Sequence, residues 1–353
     1  MSRRTAAGLL AVLLTVAFGA WSLSLPVNYV TFRPGPTFNV LGTLDGKPIL
    51  TITGHKTYPD DGQLRMVTVY QSSPDAHLDL FGMLAGWVDP NVALIPRDVV
   101  FPNANTTDQQ AQQQSAAEMT SSQDAATAAA LNALHLHYDT QLRVATVTKG
   151  LPAAGKLQAG DILVAVDGAH PAAPLALANL IRAHAPGTSV AVTVLRNGVR
   201  RTLSMTTVPA PDDKKASRIG IGIDLAYVFP FTVKINVGEN VGGPSAGMMF
   251  ALSIYDLLTP GSLTGGRTIA GSGEISTDGT VGQIGGIGQK IVAAQRDGAR
   301  LFLVASDNCA EALTAHYDPA KIRLVRVHTL TDAIDAVQAW RQNPNASLPG
   351  CGS

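Results

Sequence analysis

Residues 5–32 carry no charged side chain, and their centre, Leu9-Leu10-Ala11-Val12-Leu13-Leu14-Thr15-Val16-Ala17-Phe18, is almost wholly apolar. A helix that spans a bilayer needs roughly 20 mostly apolar residues, so residues 1–32 are expected to form one transmembrane anchor. Arg3 and Arg4 would hold the N-terminus in the cytoplasm, with Trp21 and Tyr29 near the far interface. A cleaved signal peptide ending near Ala17-Phe18-Gly19 is the competing reading. Either one exports the remainder of the chain. After the helix-breaking Arg33-Pro34-Gly35-Pro36-Thr37 the pattern shortens, and residues 38–41, 49–52 and 64–69 read as strands separated by turn signals. A short helix is expected over 78–87 and a polar, Gln-rich loop or helix start over 106–114, so residues 33–121 form a β-rich N-terminal region. Ser122 is placed to cap a helix over 123–135 with Leu131 and Leu134 turned inward.

A third pattern begins at Leu142. Residues 142–147 alternate as a strand, Leu157-Gln158-Ala159-Gly160-Asp161-Ile162-Leu163 leads into a buried strand, and Asp167-Gly168 closes it. A helix over 174–183, a strand over 190–195 and the hairpin turn Asn197-Gly198 follow. With Pro152-Ala153-Ala154-Gly155 ahead of it, this run resembles a bacterial PDZ domain over residues 122–208. The resemblance implies an extended peptide added to a sheet edge beside a helix, with Leu142, Val144, Leu177 and Leu180 as its contacts. The family's carboxylate-binding glycine loop should precede Leu142, but Tyr138-Asp139-Thr140-Gln141 contains no glycine, which argues against capture of a peptide C-terminus. The proline-bearing polar stretch 209–217 reads as a linker, 218–342 as a last domain and 343–353 as a tail.

In that last domain residues 228–237 read as a strand, followed by a glycine-rich turn and by Gly242-Gly243-Pro244-Ser245-Ala246-Gly247, which opens an apolar helix. A serine there gains from the unpaired amides and positive pole of the helix, and those amides can stabilise the oxyanion of an attacked carbonyl. Serine needs a base, and lysine serves only when neutral: lowering its pKa from about 10.4 to 7–8 costs about 4 kcal/mol. Lys290 lies between Ile284-Gly285-Gly286-Ile287 and Ile291-Val292-Ala293-Ala294, an apolar setting near a helix N-terminus that disfavours its charge. Gly243-Pro244-Ser245-Ala246-Gly247, then Ala270-Gly271-Ser272-Gly273-Glu274-Ile275, then Gly285-Gly286-Ile287-Gly288-Gln289-Lys290 resemble the Lon proteolytic domain in order and spacing. The resemblance implies Ser245 as nucleophile, Lys290 as general base and Ser272 as a hydrogen-bonding support, with Gly243 and Ala246 placed to supply oxyanion contacts. Two positions depart from the family pattern, Gly242 where an acidic residue is common and Gly288 where a first lysine is common.

The expected fold class is therefore an α+β multidomain chain: transmembrane helix, β-rich region, PDZ domain and Lon-type α/β proteolytic domain. Together these features resemble the membrane-anchored Lon-like PDZ proteases of bacteria. They imply a single-pass serine endopeptidase of the cytoplasmic membrane, with its catalytic domain outside and protein or peptide substrates, and they favour a ring-like homo-oligomer. No phosphate loop of the Gly-x-x-x-x-Gly-Lys-Ser/Thr type occurs, so neither ATP nor another cofactor is expected. The 26 basic and 26 acidic residues balance without a basic block, which speaks against nucleic acid. His135 and His137 lack accompanying ligands, so no metal site is expected. Outside the membrane, Cys309 and Cys351 are expected to pair. Two other functions fit parts of the sequence: a tethered PDZ adaptor without activity, and an α/β-hydrolase esterase using Ser245 with Asp307 and His328.

Overall fold

A computed structural model describes residues 3–103, 105–238 and 241–352. Helix α1 (Arg3–Leu23) is solvent-exposed and, by length and composition, apolar enough to cross a membrane. It ends well short of residue 32. Strand β1 (Tyr29–Asn39) begins within the same uncharged run and buries Val30 and Phe32. The expected anchor boundary therefore merged two elements, because lipid-facing and core-facing apolar residues look alike in sequence. The prolines expected to break the chain lie inside β1, where the pairing register shifts between Pro34 and Thr37.

Beyond β1 come strand β2 (Gln63–Gln71), helix α2 (Leu80–Val88), strand β3 (Ala93–Pro96) and helix α3 (Asp108–Ala133). The capping residue of α3 is Thr107, which forms a reciprocal box with Gln110. Ser122, expected as the cap, sits mid-helix, and the polar stretch 106–114 supplies the first turns.

His137–Pro230 forms a compact unit of its own. It holds strands β4 (Asp139–Val147) and β5 (Ile162–Val166), helix α4 (Pro174–Arg182), and strands β6 (Ser189–Arg196), β7 (Val199–Thr206) and β8 (Ile221–Val228). All pairings in its sheet are antiparallel, in the order β7-β6-β5-β4-β8. Leu142, Val144, Leu163, Leu177, Val192 and Met205 fill its core. The expected linker 209–217 is instead part of a small hairpin, in which Val208 and Pro209 pair with Arg218 and Ser217. Residues 221–228, expected to open the last domain, form the edge strand of this sheet. Alternating residues announce a strand without naming its partner.

The other unit joins Met1–Leu136 to Phe231–Ser353. Its later part contributes helix α5 (Gly247–Leu258), strand β9 (Thr268–Ser272), helix α6 (Ile287–Arg296), strands β10 (Leu301–Ala305) and β11 (Arg323–Val327), and helix α7 (Leu330–Gln342). Residues 33–121 are consequently not a region apart. Strand β2 pairs in parallel with β9, giving one mixed sheet in the order β11-β10-β9-β2-β1-β3. Side chains alternate across this sheet. Gly271 of β9 packs beneath Met248 and Met249 of α5, whereas Ala270 joins Ile287, Ile291, Phe302 and Val304 in a cluster that includes α6. Cys309 and Cys351 are disulfide-bonded, tying the tail to this cluster.

Candidate active site

The ends of β9, α5 and α6 converge on three polar side chains. Parallel strands leave their carboxyl ends open to ligands, and Ser272 is the last residue of β9, fully buried. Ser245 lies in the turn before α5. Its carbonyl accepts from the amide of Gly273 at 3.0 Å and from Ser272 Oγ at 3.0 Å, so the turn is fixed against the end of β9. Gly243 takes a left-handed φ of 82°, which a side chain would disfavour.

Lys290 sits on the first turn of α6, its amide bonded to the carbonyl of Gly286. Gly286 has a φ of 69°, and a Cβ there would press on Val69 and Phe32 at 3.1 and 3.2 Å. A glycine is thus required for α6 to start close against β1 and β2. The lysine is 2% exposed. Its Nζ lies 2.8 Å from Ser245 Oγ and 3.0 Å from Ser272 Oγ. Burial lowers its pKa to about 7, opposed by the carboxylates of Glu311 and Glu274. A neutral amine has two protons and one lone pair. It can donate to Ser272 while accepting the proton of Ser245, which leaves Ser272 free to donate to the Ser245 carbonyl. All three groups are then satisfied without a buried charge.

Helix α3 braces this turn from behind, a role the sequence did not reveal. The carbonyl of Ser115 accepts from the Gly243 amide at 3.0 Å, and Ser122 Oγ donates to the Pro244 carbonyl at 3.0 Å. Two expectations change. The Gly243 amide is occupied by Ser115 and is not available to an oxyanion, whereas the Ala246 amide makes no protein hydrogen bond among the described residues. A Cβ on Gly242 would collide with Ser115 Oγ and crowd the Ser115 backbone, so an acidic residue there requires Ser115 to shift. The expected strand 228–237 shortens to Thr232–Ile235, which pairs with Leu50–Thr53. In the turn that follows it, Glu239 and Asn240 lie outside the described residues. His328 and Asp307 are exposed, and neither bonds to Ser245, so an esterase triad finds no geometric support.

The peptide contacts expected in the smaller unit are displaced. Leu142, Val144 and Leu177 are core residues and cannot line an open groove. Strand β4 has both edges filled, by β5 and β8. The alternation had marked their shared face correctly, but that face points inward. Leu180 does line a cavity of about 290 Å³ with Val166, Asp167, Ala169, Ala183 and His184, where His184 Nε2 meets Asp167 Oδ2 at 2.8 Å. The sheet's two edge strands are β7 and β8, and Gly220 and Gly222 stand at the start of β8. Ile219-Gly220-Ile221-Gly222-Ile223 was the signal that could have located a glycine loop beside β4.

Comparison with known proteins matches two segments. Residues 117–207 fit the PDZ domain family, and residues 224–337 fit the Lon protease (S16) C-terminal proteolytic domain. The first span begins inside α3 and stops before β8, so it differs from the compact unit at both ends. Lon protease of Desulforamulus reducens is 32% identical over 122 residues, 34% of this chain and 14% of that protein. Lon protease of Flavobacterium johnsoniae is 31% identical over 113 residues, 29% of this chain and 14% of that protein. The chain therefore spans about a seventh of these relatives' length. Among solved structures, the PDZ domain of an SdrC-like protein from Listeria monocytogenes covers 25% of this chain and 90% of its own, at 21% identity and a TM-score of 0.23. The chain carries a PDZ domain and the C-terminal proteolytic domain of the Lon (S16) proteases.

Proposed function

We propose that this protein is a serine endopeptidase in which Ser245 is the nucleophile and Lys290 the general base. The observation that carries this reading is the 2.8 Å contact between Lys290 Nζ and Ser245 Oγ in a site where the lysine is buried. In acylation Lys290 accepts the hydroxyl proton as Ser245 Oγ bonds to the substrate carbonyl carbon. The resulting oxyanion is held by the Ala246 amide together with the positive end of α5. Collapse breaks the C–N bond, and Lys290 returns its proton to the departing amine. Water then gives a proton to Lys290 and attacks the acyl-serine ester, releasing the carboxylate product and restoring the hydroxyl. Ser272 keeps the lysine aimed at Ser245 throughout.

The PDZ unit would present extended segments of protein or peptide substrates by strand addition at the open edge of β8. Helix α1 would anchor the chain in the cytoplasmic membrane as a single span, with the remainder outside. The sequence has no phosphate loop, which fits an enzyme that works without ATP on exposed loops, tails and damaged proteins. Digestion of casein or a peptide library by the full chain tests this reading. Wild type is expected to cleave, and Ser245→Ala and Lys290→Ala are expected to be inert. Cleavage that persists in either variant overturns the assignment, and peptide binding by a wild type that cleaves nothing would favour the adaptor.

A further inference from the structure

Helix α2 has its apolar stripe on the wrong side for a soluble protein. Its nine residues, Leu80–Val88, include no charged side chain. Phe81, Leu84, Ala85 and Val88 follow the i, i+3, i+4, i+7 spacing that normally faces a core. Here that face is open to solvent: Phe81 is 63% exposed, Leu84 40% and Val88 81%, and Trp87 flanks the stripe, 78% exposed. The inner face is the thin one, where Gly86 is packed so closely that a Cβ would stand 3.3 Å from Val92 and Leu94. A contiguous exposed apolar surface of this kind needs a partner.

The position of α2 identifies that partner. Its first amide, from Leu80, donates to the carbonyl of Leu25 at 3.0 Å, two residues beyond the end of α1. Just ahead of it Leu78 and Asp79 pair with Val27 and Pro26. The helix therefore begins where the chain would leave the bilayer, and it is in contact with α1. We propose that α2 is a second membrane contact: it lies in the interfacial layer beside the anchor, with Phe81, Leu84, Trp87 and Val88 among the lipid chains. This deepens the reading of α1 as a span and rests on it. The helix is flanked by Asp79 and Asp89 rather than by basic residues. Its binding is consequently driven by apolar area, independent of anionic lipid and of salt.

Lipid-attached quenchers test this on the full chain reconstituted in phosphatidylcholine vesicles. The chain has three tryptophans, Trp21, Trp87 and Trp340. Each is retained singly, with the other two replaced by Phe. A nitroxide on the lipid acyl chains is expected to quench Trp87 emission by about twofold or more at any salt concentration, as befits an interfacial ring. Trp340, buried in the protein, is expected to be spared. Should replacement of Trp340 disturb folding, the difference in quenching between wild type and Trp87→Phe gives the same readout. Quenching of Trp21 without Trp87 overturns the proposal and leaves the span intact. Quenching of neither removes the span and the proposal with it. A blue-shifted Trp87 beyond reach of the quencher also overturns it, in favour of a second copy of the chain covering α2.

Discussion

The rate of peptide cleavage should report the titration of Lys290 directly. Burial brings that amine to a pKa of about 7, against an ordinary value of 10.5. The neutral fraction is then about 1% at pH 5, about 10% at pH 6 and about 90% at pH 8, whereas an ordinary lysine at pH 7 would be neutral only about 0.03% of the time. The value of kcat/KM for a fluorogenic peptide reports the free enzyme. It should rise about tenfold per pH unit below pH 7 and level off above pH 8. The carboxylate of Glu274 opposes the shift. Glu274→Gln should therefore move the acidic limb to lower pH while leaving the plateau in place, because the side chain does not touch the reacting groups. Glu274 itself has a raised pKa, from desolvation and from nearby Glu118, so its own protonation at the acid end of the profile narrows the difference between the two proteins there. A rate that climbs steadily to pH 10 would mean that the lysine keeps its ordinary basicity in the folded protein. A limb that moves upward in Glu274→Gln would contradict the electrostatic argument.

Three further outcomes follow from the same geometry. Ser272→Ala should lower kcat by about 10- to 100-fold with little change in KM, by loosening the base, and Ser272→Thr should restore most of it because the hydroxyl returns. Asp256 is fully buried, its Oδ1 accepting from the Leu263 amide while Oδ2 has no partner among the described residues. Desolvation, aided by nearby Asp60, raises its pKa from 3.8 to about 7. The folded state therefore binds the proton more tightly than the unfolded state, and stability falls as pH rises between about 4 and 7 by an amount of order 4 kcal/mol. Asp256→Asn should accordingly raise Tm at pH 8 and have little effect at pH 4; an equal effect at both would rule out the protonation argument. Replacing Cys351 with Ser opens a covalent link between residues 42 positions apart, a loss of about 4 kcal/mol on chain-entropy grounds, readable as a lower urea midpoint.

The polar side chains of the site were legible in the sequence because each stands in a short local signal. Ser245 stands at the mouth of an apolar helix, Ser272 at the end of a short strand, and Lys290 within an apolar run, and each signal occupies fewer than a dozen residues. What surrounds them was not legible. The supports of the Ser245 turn come from Ser115 and Ser122, on a helix far back in the chain whose serines have no distinguishing pattern. Strand β2 looked like part of an independent β-rich region, since nothing in residues 63–66 names residues 268–271 as their parallel neighbours. The same limit misplaced the peptide edge: β4 and β8 alternate equally well, and only the sheet order shows which is exposed. Hydropathy merged α1 with β1 for a related reason, because it measures transfer out of water and is blind to whether lipid or protein receives the side chain.

The most direct measurement is covalent labelling with a serine-directed fluorophosphonate at pH 8, read by intact mass and by peptide mapping. One adduct is expected, on Ser245, and it should be lost in Lys290→Met while circular dichroism shows the variant folded. An adduct on another residue, or equal labelling of Ser245 in Lys290→Met, would contradict activation of that hydroxyl by the buried amine.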